Sequence, residues 1–343
     1  MRKLLNTLYV TLEDAYLTLK DENVVVNQGA TQLLSMPLGV LEAIVCFSYK
    51  GASPALMGEC AKQGVDVTFF TPQGKFLARV AGPTKGNVLL RQQQYRIADG
   101  PAESCRYAKG FLLGKVYNAR WILERATRDH PHRVPVEQLK GISAELANTL
   151  VQIQQAMTLE ELRGLEGQSA QRYFDGFDSL ILQQKEVFYF EKRTRRPPLD
   201  AMNAALSFAY TLLANECTKA LESVGLDPYV GFLHRSRPGR SSLALDLMEE
   251  LRAVLADRFV LTVVNKKILS PKHFHQQENG AVLLTDEGKK AFLKEWQKRK
   301  QEEIKHPFLN EKIPWGLVPY MQAILLARTI RGDLEEYPPF FWK

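Results

Sequence analysis

The segment MTLEELRGLEGQSAQRYFDGF, residues 157–177, predicts an α-helical fold for the middle of the chain. Thr158 and Glu161 have the spacing of a capping box, in which a hydroxyl and a carboxylate satisfy the free amide groups of the first turn. Apolar side chains then recur at the 3.6-residue period of a helix. They form a stripe through Leu159, Leu162, Ala170, Tyr173 and Phe177.

Glu166 lies on this apolar stripe, between Leu162 and Ala170. A carboxylate on a buried face must be protonated, paired with a cation or bound to a metal, because an unpaired buried charge costs many kcal/mol. Such a glutamate is more commonly at the edge of its stripe or paired with an arginine than bound to a metal. Gly164 and Gly167 flank it and cost about 1 kcal/mol each relative to alanine inside a helix, which suggests that something approaches the backbone closely.

A second segment combines a histidine with an arginine-rich loop. A turn at residues 227–228 and an apolar run lead to His234, and Arg235, Arg237 and Arg240 follow within six positions. Guanidinium groups match phosphate oxygens in a bidentate manner and compensate their charge. The loop is therefore predicted to bind the phosphates of a nucleic acid, with a helix-entry loop held by ion pairs as the structural alternative.

A helix is predicted over residues 242–259, directly after this loop. Asp246 and Glu249 lie three residues apart on one face of it, together with Ala253 and Ala256. That face has side chains too small for a typical solvated surface. Two carboxylates are thus expected to point in the same direction near the end of the loop that begins with a histidine.

One histidine and two or three carboxylates form a mixed imidazole and oxygen ligand set, which suits Mg²⁺ or Mn²⁺. A lone histidine is more often an ordinary structural or surface residue, so His234 can also be explained without a metal. Neither structural zinc nor a disulfide framework is indicated, because the cysteines form no Cys-x-x-Cys pair. The four are Cys46, Cys60, Cys105 and Cys217.

Three segments resemble one known family, the CRISPR-associated integrase and endonuclease that is the catalytic subunit of the spacer-acquisition complex. The similar segments are LRGLEGQSAQRYF at 162–174, HRSRPGRSSLALDLMEELR at 234–252 and, between them, RPPLDAMNAALSFAYTLL at 196–213. Residues 78–83 and 86–91 also resemble the junction between the two domains of that family. The resemblance covers essentially the whole chain.

The resemblance implies which residues bind the metal. The divalent-metal ligands of the family are a glutamate, a histidine and a downstream acidic residue, which correspond here to Glu166, His234 and Glu249. The same three residues are the implied catalytic residues. Asp246 is implied either to ligate through water or only to orient the site, and Glu249 is preferred as the direct ligand.

The function implied by the resemblance is a metal-dependent DNA endonuclease and integrase that joins the 3′ ends of short DNA fragments into a CRISPR repeat array. The implied partners are DNA (the spacer precursor and the repeat array), a second copy of the chain and a small ferredoxin-like protein of the adaptation complex. Two other functions are kept as alternatives. One is a metal-dependent phosphodiesterase of DNA repair or RNA processing, and the other is a catalytically silent DNA-binding assembly subunit.

The beginning of the chain is predicted to be rich in strands. Alternating apolar and polar residues between turn-like segments favour strands at 7–11, 15–20, 23–27 and 31–37. Residues 65–71 and 76–80 are predicted to form a hairpin, and two stretches, 37–47 and 53–63, are predicted to be helical. We therefore predict an α+β fold. It has a small strand-rich N-terminal domain, residues 1–86, and a larger, mostly α-helical catalytic domain, residues 87–343. The resemblance implies that the N-terminal domain mediates dimerisation.

The composition is compatible with a polyanionic partner. The chain has 343 residues, a net charge of +7 and basic clusters at 192–196 and 289–305, although solvated helix faces have similar clusters. No apolar run approaches the roughly 20 residues that span a bilayer, and the first residues lack the features of a signal peptide. We therefore expect a cytoplasmic protein that does not bind membranes.

Overall fold

The structure is a computed structural model that describes residues 5–82 and 88–343. The described residues divide into two compact units. The predicted domain boundary at residues 86 and 87 lies outside the described residues, as does part of the junction that resembles the family. The predicted fold class is confirmed, because strands dominate the N-terminal part and helices dominate the rest.

The first unit contains two small sheets. Strands β2, β3 and β4 form an antiparallel meander, whereas β1, β5 and β6 run parallel in a second sheet that β7 extends in the antiparallel direction. Helix α1 connects the parallel strands β5 and β6. The elements are β1 (Thr7–Val10), β2 (Ala15–Lys20), β3 (Asn23–Gln28), β4 (Thr31–Pro37), β5 (Ala43–Cys46), α1 (Pro54–Gln63), β6 (Asp66–Phe70) and β7 (Phe76–Val80).

Strand β5 corrects one prediction. Residues 37–47 were expected to be helical, but only Leu38–Val40 form a 3-10 turn and Ala43–Cys46 form a strand. All four residues of β5 are buried, and β5 is an interior strand of its sheet with parallel neighbours on both sides. A short apolar run that is buried on both faces has no alternation, and its periodicity cannot be distinguished from that of a buried helix.

The second unit consists mainly of helices and carries every residue of the predicted site. Its helices are α2 (Val88–Asp99), α3 (Pro101–Asp129), α4 (Val136–Gln155), α5 (Leu159–Asp175), α6 (Ala201–Ser223), α7 (Ser242–Leu251), α8 (Arg258–Asn265) and α10 (Val318–Arg331). Two short strands complete this unit, β10 (Glu303–Lys305) and β11 (Lys312–Pro314), whereas most residues of β8 (Phe274–Gln276) and β9 (Val282–Leu284) belong to the first unit.

Helix α9 (Asp286–Gln301) belongs to the first unit, whereas sequence analysis placed this part of the chain in the second domain. Two of its side chains bind the N-terminal segment. Gln297 donates a hydrogen bond to the Leu5 carbonyl, and the Lys300 ammonium lies 3.3 Å from the Thr7 hydroxyl. Contacts between residues so far apart along the chain leave no signal in local periodicity.

Helix α5 begins as predicted. Thr158 is its N-cap, the Thr158 hydroxyl accepts from the Glu161 amide, and the Glu161 carboxylate accepts from the Thr158 amide at 3.3 Å. The capping box is therefore confirmed. None of the helices in the described part of the chain is both long and apolar enough to cross a membrane.

Candidate metal centre

The site is built where the segment before α7 passes close to that helix. A Cβ atom at Gly231 would lie 2.7 Å from the Ser242 carbonyl carbon and 2.8 Å from the Asp246 Oδ2 atom, so only glycine permits this approach. Because the two segments are so close, the Asp246 carboxylate reaches the backbone of the facing segment. It accepts hydrogen bonds from the amides of Phe232, Leu233 and His234 at 2.6, 3.0 and 3.0 Å.

Asp246 also holds the ring of His234. The distance between Asp246 Oδ1 and His234 Nδ1 is 2.6 Å, and Asp246 is fully buried. An ionised carboxylate is an acceptor only, so Nδ1 carries the proton and Nε2 is left available as an acceptor or ligand. Of the two roles considered for Asp246, this geometry favours orientation of the site, since both carboxylate oxygens already accept two hydrogen bonds each.

Glu249 lies one turn further along α7 and is buried among cations. Its Oε1 atom accepts from the Arg252 guanidinium at 2.7 Å, and its Oε2 atom lies 2.8 Å from the Lys115 ammonium. Burial by itself would raise the pKa of the Glu249 carboxyl, but Arg252, Lys115 and His234 hold that pKa well below its usual range. The carboxylate is therefore ionised at neutral pH and can bind a cation.

Glu166 points toward the same cation. Its Oε1 atom forms a short ion pair with the Lys115 ammonium, and about 30% of the Glu166 side chain is exposed. The expectation that a positive group lies opposite Glu166 is confirmed, with a lysine in place of the arginine that is more usual. The flanking glycines are exposed, and no atom of the described chain comes within 4 Å of a Cβ at Gly164 or Gly167.

The three predicted ligands thus lie in one site but do not yet share a coordination point. His234 Nε2 is 3.9 Å from Glu249 Oε1, while Glu166 meets Glu249 through the Lys115 ammonium. Within residues 5–82 and 88–343, no three His, Cys, Asp or Glu side chains form a ready metal-binding group. The Lys115 ammonium lies between Glu166 and Glu249, and two carboxylates repel each other unless a cation lies between them.

The donor set nevertheless fits a divalent ion. Two carboxylates and a free imidazole nitrogen are ligands that Mg²⁺ or Mn²⁺ accepts. Glu249 Oε2 receives no hydrogen bond of good geometry in the described chain, although the Lys115 nitrogen is only 2.8 Å away. A buried oxygen in contact with a positive charge but without a directed donor suits a metal ion, whose attraction does not depend on hydrogen-bond angles.

The arginine-rich loop forms one edge of a cavity beside His234. The cavity has a volume of about 370 Å³, and Arg163, His234 and Arg235 are among its lining residues. Arg235 and Arg237 are exposed, whereas Arg240 is partly buried, and Arg235 approaches Glu160 at 3.4 Å. The structure therefore places the three predicted phosphate-binding arginines on the accessible loop that follows His234.

The helix that follows the loop begins at the predicted residue, Ser242, but is not one continuous α-helix to residue 259. Ser241 is its N-cap, but the Ser241 hydroxyl makes no capping bond; the Pro228 carbonyl accepts from the amides of Leu243 and Ala244 at 2.9 and 3.2 Å. The α-helix ends at Leu251, a π-helical stretch follows over Arg252–Asp257, and α8 then continues the chain to Asn265. π-Helical insertions of this kind are frequent at functional sites.

Sequence analysis missed Lys115 and Arg252, the two cations of the site. Arg252 is part of a buried chain of polar contacts: its guanidinium lies over the Tyr210 ring at 4.9 Å, and the Tyr210 hydroxyl donates to Asp257 at 2.5 Å. Burial raises the pKa of Asp257 to about 6. The signal for Arg252 was present in the sequence, since it follows Glu249 by three residues inside the span predicted to be helical.

Glu250, next to Glu249, has an opposite environment. The Tyr337 hydroxyl and the Phe340 amide donate to its carboxylate, and so does the side chain of Gln322, at 3.2 Å. Burial raises the pKa of Glu250 to about 7, although these hydrogen bonds partly oppose the rise. The segment that contains Tyr337 and Phe340 thereby binds the helix that carries the site, a role that local sequence patterns did not reveal.

Comparison with known proteins assigns the class of protein. The family model described as "CRISPR associated protein Cas1" matches residues 8–298. The chain is 48% identical over 343 residues to "CRISPR-associated endonuclease Cas1 1" of Chlorobaculum tepidum, with both chains covered completely. It is 49% identical over 347 residues to "CRISPR-associated endonuclease Cas1 2" of Rhodospirillum rubrum, again with complete coverage of both.

Solved structures agree in fold. A casposase bound to its integration product superposes with a TM-score of 0.85 at 21% identity, covering 98% of this chain and 94% of the casposase. A Cas1 protein from Thermotoga maritima gives a TM-score of 0.79 at 22% identity, with 95% and 97% covered. The sequence relatives, which are named endonucleases, assign the chain to that class of enzyme. It belongs to the Cas1 family of CRISPR-associated proteins.

Proposed function

We propose that this chain joins the 3′ ends of short DNA fragments into a CRISPR repeat array in a reaction that depends on Mg²⁺ or Mn²⁺ bound by Glu166, His234 and Glu249. One observation carries the proposal. Glu166 of α5 and Glu249 of α7 come from separate helices and are drawn to a single cation position, and the His234 ring lies beside Glu249. Such an arrangement supports a divalent-metal site.

Each residue of the site has a distinct role in this proposal. Glu166 and Glu249 hold the metal with carboxylate oxygens, and His234 contributes Nε2. Asp246 fixes the tautomer and the orientation of the His234 ring from the side opposite to the metal, as acidic partners of ligating histidines commonly do. Arg252 holds the second oxygen of Glu249, which keeps that carboxylate aimed at the site.

A divalent ion bound there would make the phosphorus of a DNA phosphodiester more electrophilic and would stabilise the leaving 3′-oxygen. The attacking group is a DNA 3′-hydroxyl in strand joining or water in cleavage, and both use the same site. Arg235, Arg237 and Arg240 are proposed to bind backbone phosphates and position the DNA. We assign no side chain as general base.

The proposed partners are DNA, a second copy of the chain and a small ferredoxin-like subunit. A solved Cas6-RT-Cas1–Cas2 complex, to part of which this chain is similar, and the casposase bound to its integration product support DNA and an oligomeric assembly. The strand-rich first unit is the proposed dimerisation domain. DNA as the substrate supports a cytoplasmic site of action.

A joining reaction with purified protein tests the proposal. A short DNA fragment with 3′-hydroxyl ends is incubated with a supercoiled plasmid that carries a repeat array, with Mg²⁺, with Mn²⁺ or with a chelator, in the presence of the small subunit. Glu166→Gln and His234→Ala are expected to abolish joining. The control variants Glu137→Gln and His132→Ala, which change exposed residues, are expected to join DNA like the parent chain. Joining in the chelator, or undiminished joining by Glu166→Gln, would contradict the metal mechanism.

The same reaction separates the two alternative functions. A catalytically silent assembly subunit would bind the fragment but join no DNA under any metal condition. A phosphodiesterase of repair or RNA processing would cleave unrelated DNA or RNA with the same dependence on Glu166 and would not join ends into the plasmid.

A further inference from the structure

Lys115 is the residue of the site whose role the proposed reaction does not explain. It lies in the middle of α3, and only about 10% of its side chain is exposed. Its ammonium contacts Glu166 of α5 and lies 2.8 Å from Glu249 Oε2 of α7. One buried lysine therefore joins carboxylates from two other helices, at the place where the metal is proposed to bind.

The position of Lys115 is fixed by close packing of its helix. A Cβ atom at the preceding residue, Gly114, would lie 2.7 Å from the Glu250 Cβ atom, so glycine allows α3 and α7 to approach closely here. The approach places the Lys115 stem against the helix that carries Glu249. An exposed lysine would gain little from such a pair, but a buried ammonium needs paired carboxylates to offset its lost hydration.

The charges of the two carboxylates proposed as metal ligands are compensated by cations of the chain. Two carboxylates, Glu166 and Glu249, face two cations, Lys115 and Arg252. Arg252 binds Glu249 on its other oxygen, whereas the Lys115 ammonium contacts both carboxylates. Removal of that ammonium would leave Glu166 without the cation that it contacts and Glu249 with one of its two ion pairs.

We propose that Lys115 is an internal counter-cation that occupies the metal position when no divalent ion is bound and that is displaced when one binds. The inference rests on the proposed metal site. The Lys115 ammonium contacts one oxygen of each carboxylate, and a bound metal ion would lie about 2.0–2.6 Å from the same oxygens. The ion and the ammonium therefore exclude each other, and metal affinity is set by an exchange of cations.

Lys115→Met tests this exchange, because methionine keeps an unbranched, flexible side chain of similar length and removes the charge. Lys109→Met is the matched control on the same helix, since the Lys109 ammonium binds the Gln154 carbonyl and no carboxylate. Each protein is purified with Mn²⁺, stripped with a chelator and titrated with Mn²⁺, with free ion measured by electron paramagnetic resonance. We expect Lys115→Met to bind Mn²⁺ at least about tenfold more tightly than the parent chain, and Lys109→Met to match the parent.

Thermal unfolding of the same samples gives a second readout that does not depend on activity. Metal-free Lys115→Met is expected to melt several degrees below the parent chain, because its two carboxylates lack their shared cation. Saturating Mn²⁺ should raise its melting temperature more than that of the parent. A variant that folds only with Mn²⁺ present supports the proposal, and Lys115→Gln replaces Lys115→Met if the latter does not fold under any condition.

Two results would overturn the proposal: Mn²⁺ affinity of the Lys115 variant equal to or weaker than that of the parent, or unchanged stability of the metal-free variant. Glu166→Gln in the parent background distinguishes this failure from failure of the proposed function. If Glu166→Gln leaves Mn²⁺ binding unchanged, the metal site itself is wrong. If Glu166→Gln weakens binding and the Lys115 variant changes nothing, only the counter-cation inference is wrong.

Discussion

Gly114 and Glu250 mark a close approach of α3 and α7, since a Cβ atom on Gly114 would lie 2.7 Å from the Cβ atom of Glu250. Lys115 follows Gly114 and Glu249 precedes Glu250, so the same contact brings the ammonium to the carboxylate, at 2.8 Å. The distance between the two helices at this point therefore sets the geometry of the candidate metal centre.

Gly114→Ala is expected to force the two helices apart. We expect the free energy of unfolding to fall by about 1–3 kcal/mol, the usual effect of an added carbon atom in a packed interior, and DNA joining to fall by at least about tenfold. Gly141→Ala on α4 is the control, because nothing lies within 4 Å of its Cβ position. Equal stabilities of the two variants in a urea titration would show that the contact at Gly114 is easily relaxed.

His234→Ala and Asp246→Asn should differ in which property they lose. His234→Ala removes a proposed ligand but no backbone contact, so joining is expected to stop while stability and DNA binding remain close to those of the parent. Asp246→Asn places an amide among three backbone donors and should destabilise the fold by about 1–3 kcal/mol. A fully stable Asp246→Asn variant with normal joining would contradict its orienting role.

Arg235, Arg237 and Arg240 are expected to bind phosphates and not bases. The affinity of each alanine variant for branched DNA is measured at several salt concentrations. The slope of log affinity against log salt concentration should be shallower by about one unit for each phosphate contact that is lost. Arg331→Ala is the control, because Asp333 already neutralises that guanidinium. Unchanged slopes for all three loop variants would favour a loop held only by ion pairs such as Arg235 with Glu160.

Asp257→Asn is expected to change how stability depends on pH. The folded protein holds the pKa of the Asp257 carboxyl at about 6, above its value in the unfolded chain. Between these two pKa values the carboxyl is protonated in the folded state and ionised in the unfolded state. The free energy of unfolding therefore falls as pH rises toward 6. The variant lacks this loss. Its free energy of unfolding relative to the parent should rise by up to about 3 kcal/mol between pH 4 and 7. Urea titrations at several pH values check this, and curves of unfolding free energy against pH that run parallel for the two proteins would contradict the raised pKa of Asp257.

Gly167→Ala addresses whether a partner approaches the exposed face of α5. With nothing within 4 Å of its Cβ position, alanine should stabilise the free protein by about 0.5–1 kcal/mol, the ordinary gain inside a helix. If DNA lies against this face, the more stable variant will bind it less tightly. Unchanged affinity in a binding titration would mean that the glycine serves no contact with DNA.

Local signals in the sequence predicted much of the fold. The capping box at Thr158, the antiparallel strands and the hairpin of β6 and β7 depend on residues that are neighbours along the chain. Ala43–Cys46 was mistaken for helix because its burial comes from strands distant in the sequence. The π-helical stretch at Arg252–Asp257 likewise has no local pattern that announces it.

The sequence by itself determined the types of side chain that the site offers. Helical spacing or a motif like that of the family indicated Glu166, His234, Glu249 and the arginines after His234. Only the tertiary structure decided which of these side chains meet, and around what. Lys115, an ordinary residue of a helical pattern, became the shared cation of Glu166 and Glu249 because α3, α5 and α7 pack together there. Electrostatic attraction depends on distance through space, and that distance is set by helix packing.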